Sequence, residues 1–162
     1  MSTTWAEIAR LAEEATGPTL VLDGQVWCAR SGYEFIQWDG AGCAYRDPAA
    51  PAWNRGIRHV LASAVRPYSV SVDAMLALVA ETLPGWHPDL CRSPSFCLTP
   101  DEEKRPWSAD LMGNEREERP GWDSPPEWNY DVHSGRAATP ALALLSAYAK
   151  ALARTEQETS DA

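Results

Sequence analysis

From Trp5 to Ala15 the chain places Trp5, Ile8, Ala9, Leu11 and Ala12 at helical spacing, with Glu7, Arg10, Glu13 and Glu14 between them. That pattern predicts an amphipathic helix over 5–15. Thr4 or Thr3 caps it and Gly17-Pro18 ends it. The next run, TLVLDGQVWCARSG, fits two structures: a strand over Leu20–Leu22, or a short helix over Asp23–Ala29. Gly24 weakens both and Gly32 ends either. YEFIQWDGAGCAYRD then alternates, Tyr33, Phe35 and Gln37 against Glu34, Ile36 and Trp38. This predicts a hairpin that turns at Asp39-Gly40 and returns over Cys43–Tyr45. Pro48 and Pro51 make DPAAPAWNRG a loop, and IRHVLASAVRPYSV fits a strand or a short helix stopped by Pro67.

The strongest helix signal follows. Ser71 is a good N-cap, Asp73 sits in the first turn where the dipole favours an anion, and Pro84-Gly85 closes the element. Its expected buried stripe is Val72, Met75, Leu76, Val79 and Leu83. GWHPDLCRSPSFCLTP reads as two extended pieces around a Ser93-Pro94 turn. From Asp101 to Asp131 acids outnumber bases, and Pro106, Pro120, Pro125 and Pro126 interrupt the chain. Charge and proline predict a long excursion, mobile at GNEREERPG and pinned by Trp107, Trp122, Trp128 and Tyr130. WNYDVHS is a candidate final strand. AATPALALLSAYAKALARTEQ ends the pattern with Thr139 as cap, Pro140 at the first helical position and Leu142, Leu145, Tyr148, Ala149 and Leu152 facing a sheet. The tail ETSDA is expected to be disordered.

These elements predict one α+β domain over 1–155, followed by a tail over 156–162. A small, mostly antiparallel sheet would be covered by helices 5–15, 72–83 and 140–154, a layered α-β-α sandwich. At 162 residues the chain is long enough for one real core, and 44% hydrophobic residues is ordinary for a globular protein.

Charge and cysteine narrow the function classes. A formal charge of −9 disfavours duplex nucleic acid as a partner, because that affinity comes largely from cations on phosphates. The apolar runs are too short to cross a bilayer, and MSTTWAEIARLAEE lacks a basic-then-apolar leader, so a cytoplasmic location is expected. Cys28, Cys43, Cys91 and Cys97 form no C-x-x-C pair, and His87, Cys91 and Cys97 lack an obvious fourth ligand; buried free thiols and no metal are expected. No nucleophile–base frame and no phosphate-cradling glycine loop is present, so neither an enzyme nor a cofactor is expected.

What remains is binding. Arg55, Arg58, His59 and Arg66 lie in a stretch without acids, immediately before Tyr68 and Ser69. Ser71 and Asp73 are explained by capping, which leaves Tyr68 and Ser69 as ligand contacts beside those arginines. Trp86 offers a flat face for a base but follows the same helix at its far end, roughly 15–18 Å away by helical rise. A site using Arg55, Arg58, Arg66, Tyr68, Ser69 and Trp86 is therefore expected between protomers of a homo-oligomer. Eight tryptophans exceed what core filling asks for, and those in the acidic excursion suit a protein interface.

Three phrases also carry a resemblance: EEATGPTLVLDGQVWCA at Glu13–Ala29, YSVSVDAMLALV at Tyr68–Val79 and AATPALALLSAYAKALA at Ala137–Ala153. Together they resemble the phage ABA-sandwich domain family of small bacteriophage accessory proteins, with Val72 standing where that family has leucine. The resemblance implies a layered helix–sheet–helix fold and a place in the infected host cell. By analogy with compact phage proteins it implies an anti-defence role, sequestering an anionic nucleotide messenger of host immunity. The alternative is an interaction module that binds a host or phage protein through its Trp-rich acidic loop.

Overall fold

Pro140 opens the helix around which the molecule is built. The structure, a computed structural model, describes residues 3–54, 56–93, 99–100, 102–113 and 132–160. In it α4 (Pro140–Ser160) is buried without interruption from Ala141 to Ala149. Thr139 Oγ1 caps it by accepting from the Leu142 N–H at 3.3 Å. The sequence predicts one apolar face; all-round burial arises because a sheet covers one side and α1 (Trp5–Glu14) another. The helix also runs on through Ser160, into the tail expected to be disordered. There Arg154 pairs with Glu158 one turn on, at 3.0 Å, and the Thr155, Thr159 and Ser160 hydroxyls bond back to carbonyls four residues earlier.

Helix α1 follows its predicted pattern. Thr4 Oγ1 accepts from the Glu7 N–H, and Trp5, Ile8, Ala9 and Ala12 are buried. Trp5 meets Tyr148 of α4 edge-on, with centroids 5.5 Å apart. Helix α3 (Val72–Thr82) is capped by Ser71, whose Oγ accepts from the Ala74 N–H at 3.1 Å. Its buried residues are Met75, Leu78 and Val79; Leu76, expected in the stripe, is 38% exposed.

The segment with two readings is a helix longer than either, α2 (Leu20–Ser31), from a Thr19 cap to Gly32 at φ 69°. Its two faces serve different cores. Leu22 and Val26 join the main core with α1, α3 and α4, while Cys28 packs with Cys43 and Val65 in a smaller cluster. Gly24 is needed for that second contact: a Cβ there would lie 3.0–3.3 Å from atoms of Phe35, Trp38 and Cys43.

The strands divide between two antiparallel three-stranded sheets, so the fold is α+β as predicted, with two small sheets in place of one. The first comprises β1 (Glu34–Trp38), β2 (Gly42–Arg46) and β3 (Ile57–Leu61) in that order. Asp39 Oδ1 closes the predicted hairpin by accepting from the Ala41 and Gly42 N–H groups. The second comprises β4 (His87–Arg92), β5 (Trp107–Met112) and β6 (Val132–Ala137), packed on α4. Its central strand β5 lies inside the stretch predicted to be an excursion, with Ala109 and Leu111 buried. Alternation of Trp107, Ala109 and Leu111 with Ser108 and Asp110 overrides the surrounding charge. Residues 114–131, with Trp122, Trp128 and Tyr130, lie outside the described residues, as do residues 94–98 in the second piece of the 86–100 segment. The final strand begins at Val132, within the candidate WNYDVHS.

Candidate functional site

The turn before α3 holds three of the residues expected to bind a ligand. Pro67 bends the chain so that its carbonyl accepts from the Val70 and Ser71 N–H groups. This drives Tyr68 and Ser69 inward, to 1% and 0% exposure. Both are engaged by the protein itself. The Ser69 N–H donates to Asp23 Oδ1 at 2.6 Å, its hydroxyl donates to the Thr19 carbonyl at 3.2 Å, and the Thr19 N–H donates to that hydroxyl at 3.1 Å. Tyr68 accepts at its hydroxyl from Arg30 Nη1 at 2.9 Å. Neither side chain is presented to an incoming ligand; they tie α2 to α3.

Arg30 continues the network outward. Its Nη2 donates to Glu81 Oε1 at 2.9 Å, and Arg66 Nη1 stands 3.6 Å from Glu81 Oε2. Two guanidinium groups thus converge on one half-exposed carboxylate, with Arg66 itself 57% exposed. Arg30 was not among the expected site residues: only the fold brings it beside Tyr68, 38 residues on. Beneath this network burial pushes the Asp23 carboxyl up, opposed by hydrogen bonds from Ser69 and Tyr68. Asp23 Oδ2 has no partner among the described residues.

The other expected residues are placed elsewhere. Arg58 lies on β3 opposite Tyr45, and Arg55 lies outside the described residues. Trp86 fills a packing role: it stacks on His133 at 5.8 Å, and a Cβ on Gly113 would come within 3.0 Å of its ring. The expected set is therefore not gathered into one pocket within a protomer.

The three phrases that carry the family resemblance do meet. Thr19 and Asp23 of the first bond Ser69 of the second, and Ser146 of the third donates to Glu13 of the first at 2.8 Å. Their shared residues join elements; they do not line a cleft.

Two surfaces stand out beyond that turn. An open groove of about 390 Å³ runs between Thr4 and Ala6 of the α1 end and Ala153, Glu156, Gln157 and Ser160 of α4. It holds one acid and no histidine, and its two hydroxyls are engaged within their own helices, Thr4 as the cap of α1 and Ser160 on the Glu156 carbonyl, so it has no convergent chemistry. The second surface is apolar. Trp53, in the turn leading into β3, is 85% exposed, and Ile57 and Leu61 on β3 are 55% and 69% exposed. Strand alternation puts Ile57, His59 and Leu61 on one face of the first sheet and Arg58 and Val60 on the other. The His59 ring lies between the two apolar residues with Nδ1 3.2 Å from Asp39 Oδ2. The signal for this surface was present in IRHVL, where apolar residues occupy both alternating sets.

Among the described residues no three histidine, cysteine or acidic side chains are grouped to hold a metal. Cys28 and Cys43 are buried with sulfurs 3.6 Å apart, Cys91 is exposed, and Cys97 lies outside the described residues. Among the described residues no helix is long and apolar enough to cross a membrane. Compared with protein-family models, curated proteins and solved structures, the chain finds no match.

Proposed function

We propose that this chain is a non-catalytic interaction module that docks another protein on the outer face of its first sheet. The carrying observation is the exposure of Trp53, Ile57 and Leu61 within nine consecutive residues. An exposed tryptophan close in sequence to exposed aliphatic residues has the composition of an interface hot spot, and grouped apolar exposure is uncommon on a surface that contacts only water. The resemblance to phage accessory proteins supports a host or phage protein as the occupant. This replaces the acidic loop by the first sheet as the docking element. The test is retention of proteins from a phage-infected cell on immobilised wild type and on Trp53→Ala. A protein held by the first and lost from the second is expected; equal retention contradicts the reading.

A second reading, sequestration of an anionic nucleotide, is favoured by one observation: Arg30 and Arg66 share the Glu81 carboxylate. A phosphate displacing Glu81 would meet two guanidinium groups, one held by the Tyr68 hydroxyl. Titration calorimetry with pyrophosphate tests this. Glu81→Gln tightens binding and Arg66→Ala abolishes it if the reading holds; no heat with either protein contradicts it.

A further inference from the structure

Two three-stranded sheets have four edge strands, and a free edge invites pairing unless something closes it. Three of the four are closed. On β1 the register with β2 slips between Phe35 and Gln37, a bulge that spoils an incoming ladder. On β4 the bond from the Ser93 N–H to the Pro106 carbonyl sets the ladder phase, which turns Pro88, Leu90 and Arg92 outward. Pro88 has no N–H to offer there. On β6 the same phase turns Val132, Ser134 and Arg136 outward; Val132 is 49% exposed, but α1 and α4 engage backbone groups of the other two. The Ser134 carbonyl accepts from Lys150 Nζ at 2.7 Å, and the Arg136 N–H donates to Glu13.

Among the described residues the β3 edge has no such device. The Ala62 N–H donates to the Ala41 carbonyl at 3.0 Å, so Arg58, Val60 and Ala62 face β2 and the N–H and C=O groups of Ile57, His59 and Leu61 face outward. Its register with β2 is unbroken from Ile57 to Leu61, and the strand contains no proline or lysine. Among the described residues it ends its sheet.

We propose that β3 pairs antiparallel with β3 of a second copy, about a two-fold axis at His59, to make one six-stranded sheet. The strand is its own complement. Ile57 falls opposite the partner subunit's Leu61, and Leu61 opposite the partner subunit's Ile57. The outward backbone groups of both strands then meet in phase, each such pair exchanging both hydrogen bonds. Apolar side chains lie opposite apolar side chains on the exposed face, an arrangement that stabilises cross-strand pairs. Gly56–Arg66 contains no acid, and the one carboxylate shown at His59, that of Asp39, is paired with its Nδ1 at 3.2 Å, so charge permits the approach although the chain carries −9. Pairing covers the edge and leaves the outer face open and twice as long, so it goes beyond the docking reading and stands on the strand edges alone.

Sedimentation velocity of the full chain from low to high micromolar concentration, with amide hydrogen exchange read in parallel, tests the proposal. A concentration-dependent doubling of mass is expected, with the amides of Ile57, His59 and Leu61 protected only in the heavier species. His59→Pro removes an outward N–H without touching the bond to β2, and should abolish the doubling in a folded monomer. If that variant fails to fold, the double variant Ile57→Lys, Leu61→Lys sets like charges opposite each other on an exposed face and should do the same. Wild type that stays monomeric, doubling that survives these substitutions, or doubling without protection of those amides overturns the proposal. Trp53→Ala should double like wild type, so loss of partner docking and loss of strand pairing are separate results.

Discussion

The Ser69 N–H and Asp23 Oδ1 lie 2.6 Å apart and join the turn before α3 to the first turns of α2 across 46 residues of chain. The bond is made where Asp23 has 1% exposure and its second oxygen has no partner among the described residues. Asp23→Ala orphans the Ser69 N–H and should cost about 1–3 kcal/mol. The pH dependence has a definite sign. Burial, only partly opposed by the Ser69 and Tyr68 hydrogen bonds, raises the folded value above 3.8. The native state therefore holds the proton longer than the unfolded chain. The group's contribution is full below 3.8 and declines as pH rises through the folded value. Asp23→Asn should thus gain on wild type as pH rises through that window, which urea titrations at a series of pH values measure.

Glu13 carries the opposite sign. Burial alone would raise its carboxyl, but hydrogen bonds from Lys150 and Ser146, the Lys150 charge and the Arg136 N–H together hold it below 4.5. Its contribution is full above 4.5 and is lost as pH falls through the folded value. Glu13→Gln should flatten the acid limb of the stability profile and loosen the β6 edge, seen as faster exchange of the Arg136 amide.

Gly135 lets β6 lie directly on α4. A Cβ there would fall 2.2 Å from the Ala143 carbonyl oxygen and 2.6 Å from the Ala147 nitrogen, and neither backbone atom has room to retreat. Gly135→Ala should cost about 3 kcal/mol or more, whereas Gly56→Ala, where nothing lies within 4 Å, should stay within about 0.5 kcal/mol. Thermal melts of both variants make the comparison.

The elements legible in the sequence are those whose signals are local. Thr4, Ser71 and Thr139 mark helix starts because their oxygens accept from N–H groups three residues on, and Asp39-Gly40 marks a turn for the same kind of reason. The misread elements answer to distant residues. Gly24 argues against a helix until Phe35, Trp38 and Cys43 are seen to need its missing side chain. Leu78 replaces Leu76 in the buried stripe because α4, not the sheet, sets the angle of burial on α3. Tyr68 and Ser69 read as ligand contacts because nothing local shows that Arg30, Thr19 and Asp23 already occupy their hydrogen bonds.

Tyr68 and Arg66 are neighbours in sequence and should behave differently. Tyr68→Phe removes the buried acceptor of Arg30 and should cost about 1–2 kcal/mol. Arg66→Ala removes an exposed ion pair and should leave the melting temperature nearly unchanged. Equal effects would mean that the two share one role.

Burial pushes the Cys28 and Cys43 thiols up, away from the reactive thiolate, and both are closed to solvent. In the native protein a maleimide should therefore label Cys91 and spare Cys28 and Cys43, which react only after unfolding. Peptide mass mapping before and after denaturant distinguishes them.

The central claim is that the first sheet's outer face, and not the turn at Tyr68, meets a partner protein. Its most direct measurement is photocrosslinking in the cell that makes the protein, from a benzophenone side chain placed at position 53, at position 61 or, as a control, at exposed Glu7 of α1. A discrete adduct of the same mass from positions 53 and 61, absent from position 7, is the expected result. No adduct from position 53, or the same adduct from all three positions, would contradict the account.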